Sequence, residues 1–531
     1  MVTQIVPPRC LTGVPLGGTL PDDVHAVSVS MPLWNHVESY SQGCPELHAA
    51  LPSGYPRFVY HHYVKALNQW CWETYVNDAT KLAYVLPTRT VAERCASFLR
   101  FTHPIEMPLI DLNICGAYAI VIPAEALKTF KSFWQHSGEI VTSRMACHIL
   151  EYKNRLDQAP PKAMDGTAVH VALKERVASL YPHISCRDVF LYPCGMSAIF
   201  AAFRLAQTLK ESSRGKIVLF GFPYLDTLKI MRRPEWGSSD NFVFYPNGND
   251  TDMAAIEHLD SISAIFTEFP TNPLLHSVDL KRLAEIAHRH DTILVVDDTV
   301  GSYNVEVRFD LCAAFSVDVL HVRDIVATSL SKIFTGACTA TGGSLVLNPA
   351  SAWHTTIHPS LATDGYIFED DCVELLRMSN DVRDRIRRVN ANATVLASRF
   401  AAHRQVKAVY YPKFVDTALY QAHLTHPDDA ADSFGPLMSM ELHGGEAAAA
   451  AFYDALNVAK GPSLGTNFTL AVPYTILAHY DELAYVASCG LDRNLIRFSI
   501  GLEDVEEIWS HMEVALVAAA RVTPLAMTTT E

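Results

Sequence analysis

The chain has no apolar run of the ~20 residues a membrane helix needs. Even the C-terminal Val514-Ala-Leu-Val-Ala-Ala-Ala is closed by Arg521, so no membrane partner is expected. Met1 to Gly18 lacks a charged stretch followed by an apolar one, so it does not read as a secretory signal, and a cytoplasmic protein is expected. The 12 cysteines include no CxxC pair, which argues for reduced thiols rather than a disulfide framework. His61-His62 and His288-Arg-His290 lack metal-ligand spacing, so no metal site is expected. Basic charge is scarce: 42 Lys+Arg face 57 Asp+Glu for a net charge of −15, which disfavours nucleic acid and anionic membranes and leaves small molecules as the expected ligands. There is no internal repeat and no low-complexity tract.

Two further absences narrow the chemistry. No G-x-G-x-x-G follows an apolar strand and no G-x-x-x-x-G-K-[ST] occurs, which leaves nucleotide binding without support. Gly195-Met-Ser197-Ala-Ile199 begins like a hydrolase nucleophile elbow, but Ile199 replaces the second glycine that lets helix and strand approach, so a serine hydrolase is disfavoured.

What is present suits a large packed enzyme: 531 residues, 49% hydrophobic and 19% charged, enough for two or three domains. From Ala168 to about Leu376 helical and apolar runs alternate, as in Val189 to Leu191, Ala198 to Leu209, Lys216 to Phe222, Leu280 to His288 and Ile293 to Val296, which predicts βαβ units and a mostly parallel sheet. The polar Asp157 to Gly166 reads as a linker. Beyond it, Val382 to Phe400, Glu446 to Leu456 and Val505 to Val522 read as helices, with strands at Leu437 to Leu442 and Leu495 to Ile500, predicting an α+β C-terminal domain. The expected division is 1–165, an N-terminal extension and inter-subunit arm; 166–385, the large domain; and 386–531, the small domain.

Chemistry concentrates at Lys332, in a hydroxyl-rich turn, Thr328-Ser-Leu-Ser-Lys332, after the apolar Ile325-Val-Ala327. Upstream, Ile293-Leu-Val-Val-Asp297 ends in a carboxylate, as buried parallel strands do when they deliver side chains to a site. Gly195 sits at a strand-to-helix turn, where backbone N–H groups and the positive helix end favour a phosphate. An amine to hold an aldehyde, a carboxylate to keep a ring nitrogen protonated and a phosphate cradle together suggest pyridoxal phosphate.

Cys194-Gly-Met-Ser-Ala-Ile199, Thr267-Glu-Phe-Pro-Thr-Asn-Pro273, Val295-Val-Asp-Asp-Thr299, Thr328-Ser-Leu-Ser-Lys332 and Ile496-Arg-Phe-Ser-Ile-Gly-Leu-Glu-Asp504 occur in that order. In this the chain resembles the Cys/Met-metabolism pyridoxal-phosphate enzymes, and most of all their long fungal cystathionine γ-synthase branch. His25-Ala-Val-Ser-Val-Ser30 and Ser53-Gly-Tyr-Pro-Arg-Phe58 resemble the family's entry segment. The resemblance implies fold type I (aspartate aminotransferase-like), an α/β large domain with a mainly parallel sheet plus a smaller α+β C-terminal domain.

It also implies roles. Lys332 would bind the cofactor and then act as base, and Asp297 would pair with the ring nitrogen. Gly195, Met196, Ser329 and Ser331 would hold the phosphate. Thr299 would belong to the cofactor site, Tyr224 would stack on the ring and assist proton transfer, and Asn272 would lie near the ring hydroxyl. Arg497 would grip the substrate carboxylate, with Ser463 beside it. Tyr55 and Arg57 would reach the phosphate from a neighbouring subunit, implying a homodimer or homotetramer with shared sites. Where the family usually has Asn, this chain has Asp298. The implied reaction is γ-replacement on O-acetyl-L-homoserine through a vinylglycine-type intermediate, joining Cγ to a cysteine thiol or to a carbon nucleophile in specialised metabolism. Alternatives are an O-acylhomoserine sulfhydrylase, a γ-lyase, or an inactive protein retaining the fold.

Overall fold

In the computed structural model, which describes residues 9–153, 168–209, 215–237, 241–304, 323–424 and 433–522, the strands fall into three sheets. The first is three-stranded: β1 (Lys81–Leu86), β2 (Leu109–Asp111) and β3 (Tyr118–Pro123), antiparallel in the order β1-β3-β2. It shares a core with the helices His62–Cys71, Arg89–Thr102, Leu127–Ser137 and Ser143–Tyr152, built on Phe98, Phe130, Phe133 and Trp134. The sequence reading did not foresee these strands. The expected linker at 157–166 lies outside the described residues.

The central sheet contains β4 (Val189–Tyr192), β5 (Lys216–Phe220), β6 (Phe242–Tyr245), β7 (Ile262–Glu268), β8 (Ile293–Asp297), β9 (Ile325–Ser329) and β10 (Gly343–Leu347) in the order β4-β10-β9-β8-β7-β5-β6. β10 runs antiparallel to β4 and β9, while β9, β8, β7, β5 and β6 pair in parallel, so the sheet is mainly parallel as expected. Both faces are covered, which is why the strands read as continuous apolar runs. Leu219, Phe266, Val295 and Ala327 pack on one face with Phe200 and Phe203 of the helix Gly195–Leu209. Val218, Phe220, Ile265, Leu294 and Val296 pack on the other. Each such buried Val, Leu, Ile or Phe side chain contributes roughly 1.5–3 kcal/mol.

This alternation positions chemistry. Successive strand residues point to opposite faces, so Glu268, Asp297 and Ser329 share the face that carries Phe266, Val295 and Ala327. The N-terminal end of the helix Gly195–Leu209 meets that face: a Cβ on Gly195 would come 2.7 Å from Ser329 Cβ. At the other side of the same helix end lies Gly138, at φ +67°, where a Cβ would meet Cys194 Sγ at 2.6 Å and Ser197 N at 2.8 Å. Glycine at 195 lets the helix end close on Ser329, and glycine at 138 lets the N-terminal unit press against the turn.

The third sheet contains β11 (Val406–Tyr410), β12 (Leu437–Leu442), β13 (Ala459–Lys460), β14 (Leu470–Pro473) and β15 (Ile496–Ser499) in the order β11-β12-β15-β14-β13, covered by the helices Val382–Ala401, Gly445–Ala455 and Val505–Val522. The entry segment is fastened to this part of the same chain: Met31 N donates to Lys460 O (2.9 Å), and Trp34 N to Asp454 Oδ1 (2.7 Å). Among the described residues no helix is long and apolar enough to cross a membrane.

Candidate active site

A cavity of about 240 Å³ opens where β7, β8 and β9 end, and every expected site residue except Ser331 lines it. Lys332 follows β9 in a turn closed by Gly336 N donating to Lys332 O (2.8 Å). Its Nζ donates to Ser463 Oγ (3.2 Å) and lies 4.5 Å from the centre of the Tyr55 ring. Burial, reinforced by the nearby Arg497 and Arg57, pushes the Lys332 ammonium down to about 8. A lysine so placed is partly neutral near physiological pH and able to act as nucleophile or base.

Asp297, at the end of β8, accepts from Thr299 N (2.9 Å), and Thr299 Oγ1 in turn accepts from Ser329 N (2.9 Å), tying two strand ends together. Burial raises the Asp297 carboxyl, with the Thr299 bonds opposing. Glu268 lies opposite it in the β7–β8 register and accepts from Asn272 N (3.3 Å). Burial and the neighbouring Asp297 hold the Glu268 carboxyl well above the usual range. Asp298 points to the other face, where Tyr181 OH (3.1 Å) and Thr328 Oγ1 donate to it, so the extra carboxylate stays outside the cavity.

Arg497, on β15, donates to Asn272 Oδ1 (2.9 Å) and to Ser463 O (2.8 Å), and its guanidinium lies 4.4 Å from the centre of the Tyr474 ring. Asn272 Nδ2 donates to Tyr474 OH (3.1 Å), which fixes the amide. All these partners are neutral, so the planar fork is positioned yet its charge is available for a carboxylate.

At the opposite end Arg57 donates to Asp226 Oδ2 (2.5 Å), Gln135 O (2.6 Å) and Tyr224 OH (2.6 Å). Burial alone would raise Asp226, but Arg57, with His136 and Lys229 nearby, holds it below the ordinary carboxylate range. The resemblance implied that Tyr55 and Arg57 enter from a neighbouring subunit. Instead they line the cavity of their own chain, because the N-terminal unit anchors the segment there: Trp134 Nε1 donates to Pro56 O (3.0 Å) and Gln135 O accepts from Arg57. Ser331 also departs from expectation. Its Oγ accepts from Gly342 N (3.1 Å), bracing its own turn, and also meets the Tyr55 hydroxyl, so it stands behind Tyr55 and does not itself line the cavity.

Three observations fit pyridoxal phosphate. Ser329 Oγ and Arg57 Nε are buried and without a hydrogen-bond partner among the described residues, and both residues line the cavity that Gly195 and Met196 open onto. Asp297 is a buried carboxylate that makes no ion pair among the described residues, as a partner for a protonated ring nitrogen must be. Lys332 Nζ reaches the same cavity.

Sequence reasoning missed Glu268, Asp226, Gln135 and Tyr474. Glu268 was within reach, since it precedes the Phe-Pro-Thr-Asn-Pro run and ends a strand beside the one ending in Asp297. Asp226 follows Tyr224 by two residues, but only its contact with Arg57, 169 positions away, reveals its part.

A family model described as Cys/Met metabolism PLP-dependent enzyme matches residues 164–517, and one described as fungal trans-sulfuration enzyme, N-terminal domain, matches residues 63–142. Cystathionine gamma-synthase of Neurospora crassa is 32% identical over 95% of this chain and 98% of that protein. The cystathionine gamma-synthase-like enzyme iboG2 of Amanita muscaria is 30% identical over 96% of this chain and 97% of that one. Among solved structures, cystathionine gamma synthase from Xanthomonas oryzae pv. oryzae in complex with cystathionine aligns with a TM-score of 0.53 at 24% identity, covering 67% of this chain and 87% of that one, a likeness of fold type I.

Proposed function

Because the chain belongs to the Cys/Met-metabolism PLP-dependent enzymes, whose cofactor is pyridoxal phosphate, we propose that it catalyses γ-replacement on O-acetyl-L-homoserine. The observation that carries this reading is Arg497, a buried guanidinium held by Asn272 and Ser463 across the cavity from the phosphate end, with Lys332 Nζ beside Ser463. When bound, pyridoxal phosphate withdraws electrons from substrate Cα and so acidifies the protons there and on the adjoining carbon.

The chain's own residues supply the rest. Arg497 takes the α-carboxylate in its fork, which fixes Cα toward Lys332. Lys332 would hold the cofactor and move protons at Cα and the next carbon, a task suited to an amine that burial pushes down to about 8. Asp297 would keep the ring nitrogen protonated, and Tyr224, which lines the same cavity, would stack on the ring. The amides of Gly195 and Met196, the Ser329 hydroxyl, Tyr55 and Arg57 would hold the phosphate. Residues 166–385 and 386–531 act as the large and small domains that bring Lys332 and Arg497 together. Departure of acetate from Cγ opens that carbon to a nucleophile.

The test is to incubate the holoenzyme with O-acetyl-L-homoserine and a panel of thiols and enolisable carbonyl compounds, measuring acetate and products by mass spectrometry. Acetate release with a new Cγ bond is the expected result. Acetate, 2-oxobutanoate and ammonia as the sole products, whatever the acceptor, would establish a γ-lyase instead.

A further inference from the structure

We propose that the nucleophile taking up Cγ is an uncharged molecule with an apolar body, an apolar thiol or an enolisable carbonyl compound, rather than a zwitterionic amino acid. This rests on the γ-replacement reading.

The substrate side of the cavity is walled by the entry segment. Met31 N donates to Lys460 O (2.9 Å), Ser28 Oγ donates to Pro462 O (2.8 Å), and Gly461 packs so closely that a Cβ there would come 2.2 Å from Val29 O. Those bonds set Val29 and Met31 beside Ser463, whose hydroxyl meets Lys332 and whose carbonyl meets Arg497. Leu51, Leu464 and Leu477 continue the apolar lining of the same cavity. Val29, Met31 and Leu51 are buried and fixed by backbone bonds or packing, so the wall is part of the folded chain.

The charged groups lining the cavity face one another or serve the cofactor and the first substrate. Arg57 is paired with Asp226, Arg497 awaits the carboxylate of the first substrate, and Lys332 serves the cofactor. Glu268 and Asp297 stand at the paired ends of β7 and β8. Lys229 lies one turn beyond Asp226 on the helix Leu225–Met231, where its charge acts on Asp226 and on Glu482. An acceptor with both an ammonium and a carboxylate would therefore bring two charges against Val29, Met31 and Leu477 without counter-charges, which desolvation penalises strongly. A neutral acceptor meets no such penalty and gains from burying its own apolar surface.

The step balances without a redox change. The Cγ–O bond breaks and acetate leaves with the electron pair. A C–S or C–C bond forms from the acceptor's pair, and the acceptor's S–H or α-C–H proton passes to a base of the chain and then to solvent.

Matched pairs test this with the holoenzyme and O-acetyl-L-homoserine: propane-1-thiol against L-cysteine, and butan-2-one against 2-oxobutanoate. The neutral member is expected to win by at least about tenfold in kcat/KM in whichever pair is accepted, and the accepted pair tells sulfur from carbon. Met31→Arg is expected to narrow that preference. Equal or better use of the charged member overturns the proposal, most directly if Lys229→Met abolishes that use. No acetate release with any acceptor refutes γ-replacement itself, whereas acetate release with cysteine preferred overturns this inference alone.

Discussion

Replacing Arg497 with lysine keeps a cation but removes a planar fork, and the site is built around that fork. One arm donates to Asn272 Oδ1 at 2.9 Å and another to Ser463 O at 2.8 Å, leaving the remaining donors for a carboxylate. A lysine ammonium cannot hold both orienting bonds and a bidentate carboxylate. Losing one charge-assisted hydrogen bond to the substrate, at about 1.5–3 kcal/mol, and loosening Asn272 leads us to expect about 3 kcal/mol in kcat/KM, or roughly 150-fold. The assay is acetate release from O-acetyl-L-homoserine under steady state. The cofactor absorbance should persist, because Arg497 lies away from the phosphate end. A kcat/KM within about threefold of the parent would show that the substrate carboxylate binds elsewhere.

Mixing Lys332→Ala chains with Arg57→Ala chains, under verified subunit exchange, is expected to restore no activity, since each cavity takes both residues from one chain; recovery would place the arm in a partner's site. Asp226→Asn leaves the Arg57 charge buried and unpaired, so the apoprotein should melt lower, and saturating cofactor should recover most of the loss by presenting a phosphate to that arginine; an equal loss with and without cofactor contradicts the pairing. Because the Lys332 ammonium is pushed down to about 8, capture of pyridoxal phosphate by the apoprotein should accelerate with pH and level off above about 8, as the neutral amine is the attacking form; a rate still climbing toward 10 would mean an ordinary, solvated lysine.

The central sheet was legible because both of its faces are covered, so β7, β8 and β9 are apolar runs ended by Glu268, Asp297 and Ser329. The N-terminal sheet was not, since β1 mixes exposed and buried positions and β2 is three residues, two half-buried and one exposed, whose pairing comes through β3. At the site, Lys332, Asp297 and Arg497 could be read from short motifs, each carried on one strand or turn. The location of Arg57 could not, because it depends on how Trp134 and Gln135 hold a distant segment. Nor could the apolar wall, in which Val29 gains meaning by lying on Gly461. Asp298 looked like a neighbour of the cofactor in sequence, yet strand alternation sends it to Tyr181 and Thr328.

The most direct measurement is to reduce the holoenzyme with borohydride and locate the cofactor by peptide mass spectrometry. The adduct is expected on Lys332, and Lys332→Ala should abolish both the adduct and acetate release. An adduct on any other lysine, or turnover persisting in Lys332→Ala, would contradict the assignment of this cavity as the active site.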